Sequence, residues 1–194
     1  MPTDTNTSSR IAMLSKSEAR DRGVALGIDE YVAQLNLFRI LLHYPEVAAE
    51  INKTIFTLMS SDGALSHRLR ELIIMRVAWL SQSKYEWTQH WHASLFLGLT
   101  EPELVAVRDW KNSDLFDATD RIVLQATDDT LGRGGIQPTT WARLAELLPE
   151  PSTQITVVAS IGNWHMAAQI MESLDIPLED DAVIWPPDGV APNH

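Results

Sequence analysis

Residues 65–107 carry the clearest structural pattern in the chain and read LSHRLRELIIMRVAWLSQSKYEWTQHWHASLFLGLTEPELVAV. Apolar residues lie on most sides of 66–80, which is expected of a helix buried in a large core or in an oligomer interface. A second helix is predicted over 83–97 and ends at Gly98. Because the break between the two helices is short, we expect them to pack as an antiparallel hairpin.

The rest of the chain shows the same helical periodicity. Apolar residues recur at helical spacing over 29–42, 117–131, 138–148 and 152–174, and no long stretch alternates at period two. The predicted fold class is therefore all-α, a helical bundle.

Composition and local sequence also suggest how the chain is divided. We expect a flexible or partly helical leader at 1–28, a helical domain at 29–176 and an extended tail at 177–194.

Charge and cysteine content exclude several classes of function. The chain has 194 residues and a net charge of −11, from 15 basic and 26 acidic residues, which argues against a nucleic-acid or anionic-membrane partner. It contains no cysteine, so disulfides, thiolate metal sites and thiol redox chemistry are excluded. No signal-like or membrane-spanning apolar run occurs, and we expect a soluble, cytoplasmic protein.

Three ionisable residues form the candidate site for chemistry. Glu71 lies on the strongly apolar helix, and Ser83, Glu86 and His90 share one face of the next helix. If the hairpin forms, Glu71 can join this face. Two carboxylates and an imidazole in apolar surroundings are suited to proton transfer near neutral pH.

Each of these residues also has a structural interpretation. Glu71 could be an early-helix carboxylate paired with Arg68 or Arg70. Glu86 and His90 could be an ordinary pair one helical turn apart, and without other knowledge this interpretation is favoured. A metal site on Glu86 and His90 is a further alternative, although no diagnostic metal-binding motif is present.

Neighbouring aromatic and histidine residues are more often structural. Tyr85 and Trp87 are typical core residues, His92 lies on a different face from His90, and His165 is typical of a core or rim position.

The motifs resemble a known superfamily. Arg-Glu-Leu-x-Ile-x-Arg-Val-Ala at 70–78, Tyr-Glu-Trp-x-x-His at 85–90 and Gly-Leu-Thr-x-x-Glu-Leu at 98–104 are similar to carboxymuconolactone decarboxylase and alkylhydroperoxidase D-like proteins. The segment 36–45 is similar to longer members. The resemblance implies a helical bundle of the alkylhydroperoxidase D-like type, assembled as a homotrimer or homohexamer.

The resemblance also assigns positions within the site. Peroxidatic members carry a Glu on the first helix and Cys-x-x-Cys-x-x-x-His on the second. Here Glu71 and His90 occupy the Glu and His positions, and Ser83 and Glu86 stand where the cysteines would be. What remains resembles the decarboxylase branch, which often reads Tyr-Glu-Trp-x-His-His. Gln89 replaces the first of those two histidines.

We therefore expect a lyase or isomerase acting on a small lactone or carbonyl substrate, with no cofactor and no metal. His90 would be the acid or base, Glu71 a second acid/base group or the residue that orients His90, and Glu86 the group that polarises His90 or binds a substrate hydroxyl.

Substrate-binding roles fall to Ser83, Tyr85 and Trp87. The alternative from another class is a non-catalytic helical oligomer that binds a small apolar ligand or a partner.

Overall fold

The computed structural model describes residues 9–60, 64–180 and 182–192. Within these ranges the chain forms ten α-helices and no β-strand, so the all-α prediction is confirmed. The helices are α1 Lys16–Ala25, α2 Glu30–Ala33, α3 Asn36–Leu41, α4 Pro45–Met59, α5 His67–Leu80, α6 Lys84–Phe96, α7 Glu101–Ala106, α8 Ala118–Arg133, α9 Pro138–Leu147 and α10 Pro151–Ser173. A 3₁₀ segment, Val107–Asn112, follows α7.

The helices belong to two compact units. The first holds the described residues up to Thr57 together with Ile170–Ala182, and the second holds Leu58–Gln169 and the described residues from Val183 onward. The boundaries predicted at 28/29 and 176/177 do not coincide with this division, because α1 belongs to the same unit as α2 and α3.

The predicted leader and tail are only partly described. Of the leader at 1–28, residues 1–8 lie outside the described residues and α1 occupies much of the remainder. Of the tail at 177–194, residues 181, 193 and 194 lie outside them. The described part of the tail includes a turn around 185–189 whose Trp185 side chain is buried.

In the first unit, the helix predicted over 29–42 is divided into α2 and α3, so that prediction is wrong in detail. Asp29 caps α2, and Leu35 adopts an extended conformation before α3 begins. The backbone N–H of Asn36 donates to Glu179 at 2.9 Å, and the Asn36 side chain donates to the carbonyls of Pro177 and Leu178. These bonds to a segment about 140 residues away replace the helical bonds that a continuous helix would make.

In the second unit, α5 is the central helix. Every residue from Leu69 to Ala78 is buried, and α5 packs mainly against α8 and α6. Ser66 caps α5, and its side chain accepts from the Leu69 N–H. Because a single chain already covers α5 in this way, its apolar character no longer argues for an oligomer, and the trimer or hexamer stays a prediction.

No helix among the described residues is long and apolar enough to cross a membrane.

Candidate active site

Glu71 and His90 meet between α5 and α6. The Nδ1 of His90 lies 2.9 Å from Glu71 Oε2, and the Ser94 hydroxyl, one turn further along α6, donates to the same oxygen at 3.3 Å. Glu71 is near the start of α5, whereas His90 and Ser94 are in the second half of α6. The two helices therefore run antiparallel, as the hairpin prediction required.

The Glu71 carboxylate is held by three donors and has no solvent exposure. Its second oxygen, Oε1, accepts from Arg70 Nε at 3.1 Å, and Arg70 also donates to the carbonyl of Met59. Burial alone would raise the pKa of Glu71, but His90 and Arg70 outweigh that effect and hold the pKa below its ordinary value. Glu71 is therefore a carboxylate near neutral pH and not a proton donor.

Trp164 on α10 contacts the other side of the imidazole. Its indole N–H donates to His90 Nε2 at 3.3 Å, and the two rings meet edge to face. Because an indole nitrogen is only a donor, His90 Nε2 must accept and carries no proton. The proton of the neutral imidazole therefore lies on Nδ1, which donates to Glu71.

His90 is the member of this group that solvent reaches. Its side chain is 18% exposed, whereas that of Glu71 is completely buried. The lone pair of Nε2 accepts the Trp164 N–H, so a bound molecule can donate a proton to Nε2 only in place of the indole.

Glu86 and Ser83 lie on the same face of α6 as His90 by helical spacing. Both are buried, at 2% and 0% exposure. A direct role for Glu86 beside His90 stays a prediction. The Ser83 hydroxyl has no hydrogen-bond partner in the described chain.

Trp87 lies in an aromatic cluster and not on an open wall. Its fully buried ring packs with Trp79, Trp91 and Trp185, at centroid distances of 5.3–6.0 Å. The Arg108 guanidinium lies 5.0 Å from the Trp87 ring, and the Trp87 N–H donates to a tail carbonyl. These contacts account for Trp87 as a core residue, which is the structural interpretation of its sequence position.

Tyr85 is also buried, with 4% exposure, and by helical spacing it lies on a different side of α6 from His90. The substrate-binding roles of Tyr85 and Trp87 stay predictions.

The remaining histidines discussed above do not join the pair. His92 is exposed, and His165 lies 3.2 Å from the Ser81 hydroxyl. In the parts of the chain that the structure describes, no three His, Asp or Glu side chains are grouped so as to hold a metal ion.

Two surface clefts of the described residues, one in each unit, do not include Glu71 or His90. One is lined by residues of 24–56, and the other by Trp141 and residues of 151–159. A pocket that contains Glu71, Glu86 and His90 stays a prediction.

Two participants were not singled out from the sequence as site residues. Ser94 could have been found, since it lies one turn after His90 on the same helix face. Trp164 could not, because only the tertiary fold shows that its N–H reaches His90.

Sequence comparison relates the chain to a known family. Residues 45–129, which include Glu71, Glu86 and His90, match the model of the carboxymuconolactone decarboxylase family. No curated protein matches the sequence significantly.

Solved structures share the fold. An alkylhydroperoxidase AhpD core protein from Ralstonia eutropha JMP134, described as peroxidase-related, superposes with a TM-score of 0.74 at 14% identity, over 96% of this chain and 100% of that one. A peroxidase-related protein from Silicibacter sp. TM1040 gives 0.74 at 14% identity, over 93% and 97%. The debrominase Bmp8 gives 0.72 at 14% identity, over 91% and 94%.

Residues 45–129 are therefore similar to the carboxymuconolactone decarboxylase family, and the chain shares its fold with alkylhydroperoxidase D-like structures.

Proposed function

We propose that this protein is an enzyme that moves a proton on a small lactone or carbonyl substrate, with His90 as the general base. The observation that carries the proposal is the arrangement of the imidazole. Its Nδ1 proton is bound by the Glu71 carboxylate, and its Nε2 is kept unprotonated by the Trp164 N–H. A carboxylate-bound imidazole with an unprotonated opposite nitrogen is the arrangement that general-base catalysis requires, and the substrate takes the place of the Trp164 N–H at the Nε2 lone pair.

The reaction begins with proton removal. His90 Nε2 takes a proton from the carbon next to the substrate carbonyl, and the electron pair of that C–H bond moves into the carbonyl to give an enolate. Glu71, already ionised, stabilises the imidazolium that forms. Where the substrate has a carbon–carbon double bond next to that carbon, the enolate extends over it. The imidazolium then returns the proton to the far carbon of the double bond, the double bond moves into conjugation with the carbonyl, and the isomerisation is complete.

A lyase reaction uses the same groups in the opposite order. Loss of carbon dioxide leaves its electron pair on the substrate as an enolate, and His90 must then donate a proton to carbon. That route starts from the imidazolium. Because Trp164 donates to Nε2, the observed arrangement favours the route that begins with neutral His90.

Glu71 positions and stabilises His90 in this mechanism. It is not the second proton donor, because three donors surround its carboxylate and its pKa is lowered. Of the two roles that the sequence left open for Glu71, we propose the orienting one.

Thiol chemistry is not part of the proposal. The 194 residues contain no cysteine, and the thiolate is the nucleophile in thiol peroxidases. The debrominase Bmp8, as a cysteine-to-alanine variant, has been crystallised with 2,3,4-tribromopyrrole. That ligand is a small ring, which supports a ring-sized substrate for this fold.

The proposal is tested by hydrogen exchange between solvent and substrate. The protein is incubated in deuterated water with a panel of lactones and ketones, and incorporation of deuterium at carbon is followed by NMR. The wild-type protein should catalyse incorporation into at least one compound. His90→Ala should lower that rate by roughly 10²–10⁴-fold, since one general base is removed.

His92→Ala is the matched control, because His92 is an exposed histidine on the same helix. It should retain the wild-type rate. Equal rates for the two variants, with both correctly folded, would show that His90 is structural.

A further inference from the structure

Three buried polar side chains near the His90 site have no hydrogen-bond partner in the described chain. They are the hydroxyls of Ser83 and Ser160 and the side-chain amide of Asn163, whose nitrogen and oxygen are both unpartnered. All three residues are at least nine-tenths buried. We call them the polar strip. Buried polar groups almost always have a partner, so a set without one indicates that something else supplies it.

Contacts between helices place Ser83 in an enclosed part of the second unit. α10 contacts the connection between α5 and α6 through Ser81 and His165, at 3.2 Å, and the middle of α6 through His90 and Trp164, at 3.3 Å. Ser83 lies between these two contact points along the chain, on the face of α6 that carries His90.

Ser160 and Asn163 lie on the corresponding part of α10. Ser160 precedes Trp164 by one helical turn and therefore lies on the same face, and Asn163 follows Ser160 by three residues and borders that face. The groups without partners are thus carried by the two helices that meet at the proposed base.

We propose that the polar strip binds the carbonyl oxygen of a neutral substrate, with the Asn163 amide as the main donor. This assignment rests on the proposed function, because it supplies the group that stabilises the enolate oxygen while His90 holds the proton. Hydrogen-bond donors directed at an oxygen that gains charge are the common means of stabilising such intermediates.

The charges around the strip favour a neutral ligand over a carboxylate. Amide and hydroxyl groups carry no charge, and Arg70, the cation in contact with the Glu71–His90 pair, already binds Glu71 and a backbone carbonyl. A carboxylate would also lie near Glu86, a buried acidic residue on the same face of α6. The substrate class is therefore a neutral lactone or ketone.

The test compares Asn163→Leu with wild type, using γ-butenolide as the neutral probe and crotonate as an anionic compound of similar size. Leucine has nearly the shape of asparagine but cannot form hydrogen bonds. The dissociation constant for γ-butenolide, from an NMR titration, should rise about three- to tenfold, which corresponds to one hydrogen bond. The thermal midpoint without ligand should stay the same or rise, because a buried amide without a partner is removed.

Thr88→Val is the control. The Thr88 hydroxyl is also buried without a partner, but by helical spacing it lies on the opposite side of α6 from His90. Thr88→Val should leave the affinity for γ-butenolide unchanged. It should not lower the thermal midpoint. Ser160→Ala is a second, smaller change that should also weaken γ-butenolide binding.

Three results would overturn the assignment. These are unchanged affinity in both Asn163→Leu and Ser160→Ala, tighter binding of crotonate than of γ-butenolide by the wild type, and no binding of γ-butenolide at all. Failure of the proton-transfer proposal is a separate result, since γ-butenolide would then bind as expected while no deuterium is incorporated into any compound of the panel.

Discussion

Replacing Glu71 by glutamine tests the site most directly, because the change keeps the shape of the side chain and removes its charge. The new amide has one oxygen and one NH₂ group where the carboxylate has two acceptors. Arg70 requires the oxygen, so the NH₂ group then faces His90 Nδ1. His90 must move its proton to Nε2, where it meets the N–H of Trp164. With its proton on Nδ1, His90 faces the new NH₂ group. With its proton on Nε2, it faces the Trp164 N–H. In either tautomer, two hydrogen-bond donors oppose each other.

The expected loss of stability follows from the buried charge that remains. The side chain of Arg70 is 2% exposed, and Glu71 is its ion-pair partner. Removing one partner of a buried pair costs about 3–5 kcal/mol, and we expect the lower end because the amide oxygen still accepts from Arg70. For a chain of this length, that corresponds to a thermal midpoint lower by about 6–12 °C. Activity should fall by roughly 10³–10⁴-fold, since the base has the wrong tautomer.

The assay is thermal unfolding followed by circular dichroism, together with the deuterium-exchange rate. A second variant, Arg70→Met combined with Glu71→Gln, separates the cost of leaving the Arg70 charge unpaired from the cost of the altered contact with His90. Without Arg70 the amide can turn its oxygen toward His90, so the double variant should be more stable than Glu71→Gln alone. A midpoint within 2 °C of wild type for the single variant, with unchanged activity, would refute the buried network as described.

Glu71→Gln should also change how the stability of the folded protein depends on pH. Because the pKa of Glu71 is lowered in the folded protein, its contribution to stability is complete above the unfolded value of about 4.3 and is lost as the pH falls through the lowered value. The difference in stability between wild type and Glu71→Gln should therefore narrow below about pH 4.3. Unfolding in urea at several pH values measures it.

Four further substitutions test other parts of the structure. Trp164→Phe keeps an aromatic ring but removes the N–H that bonds to His90 Nε2. Because the Glu71 carboxylate still holds the Nδ1 proton, the tautomer should stay the same while the nitrogen chemical shift of Nε2 changes; an unchanged Nε2 shift would contradict the contact with the indole. Arg108→Leu removes the hydrogen bonds to the tail and the contact with two indole rings, and should cost about 1–2 kcal/mol and make the tail more sensitive to protease. Gly23→Ala places a Cβ 2.5 Å from a neighbouring Cβ and should destabilise the protein by about 1–3 kcal/mol. The Cβ added by Gly132→Ala meets nothing within 4 Å, so this variant should stabilise the protein by up to about 1 kcal/mol. Equal effects of the two variants on the unfolding free energy would show that a backbone shift relieves the close approach at position 23.

Much of the second unit could be predicted because its signals are local. Helical periodicity, the cap at Ser66 and the break near 81–83 are encoded within a few residues of each other, and they indicate the hairpin. The contact between Glu71 and His90 follows from the hairpin and from helical spacing. No tertiary information is required for either step.

The choice of ion-pair partner could not be predicted in the same way. Sequence alone left Arg68 and Arg70 as equal candidates for Glu71. Arg68 instead binds Asp120 and Glu103, which are 52 and 35 residues away. A helix pattern shows which side chains share a face, but it does not show which distant carboxylates reach that face.

The break between α2 and α3 could not be predicted either, because it also depends on residues that are distant in the sequence. The periodicity of 29–42 is continuous, and the competing hydrogen bonds of Asn36 come from the segment 177–179. The absence of partners at Asn163 is likewise a property of tertiary burial, because an asparagine in a helix is normally solvated.

The aromatic cluster gives the protein an intrinsic fluorescence signal. Trp79, Trp87, Trp91 and Trp185 lie within 6.0 Å of one another in successive pairs, so excitation energy absorbed by one indole passes readily to the others. Their emission therefore reports on the group as a whole. Because Trp185 comes from the tail, detachment of the tail would change both the fluorescence and the near-ultraviolet dichroism of the core. The position of the tail can thus be followed in solution without attaching a dye.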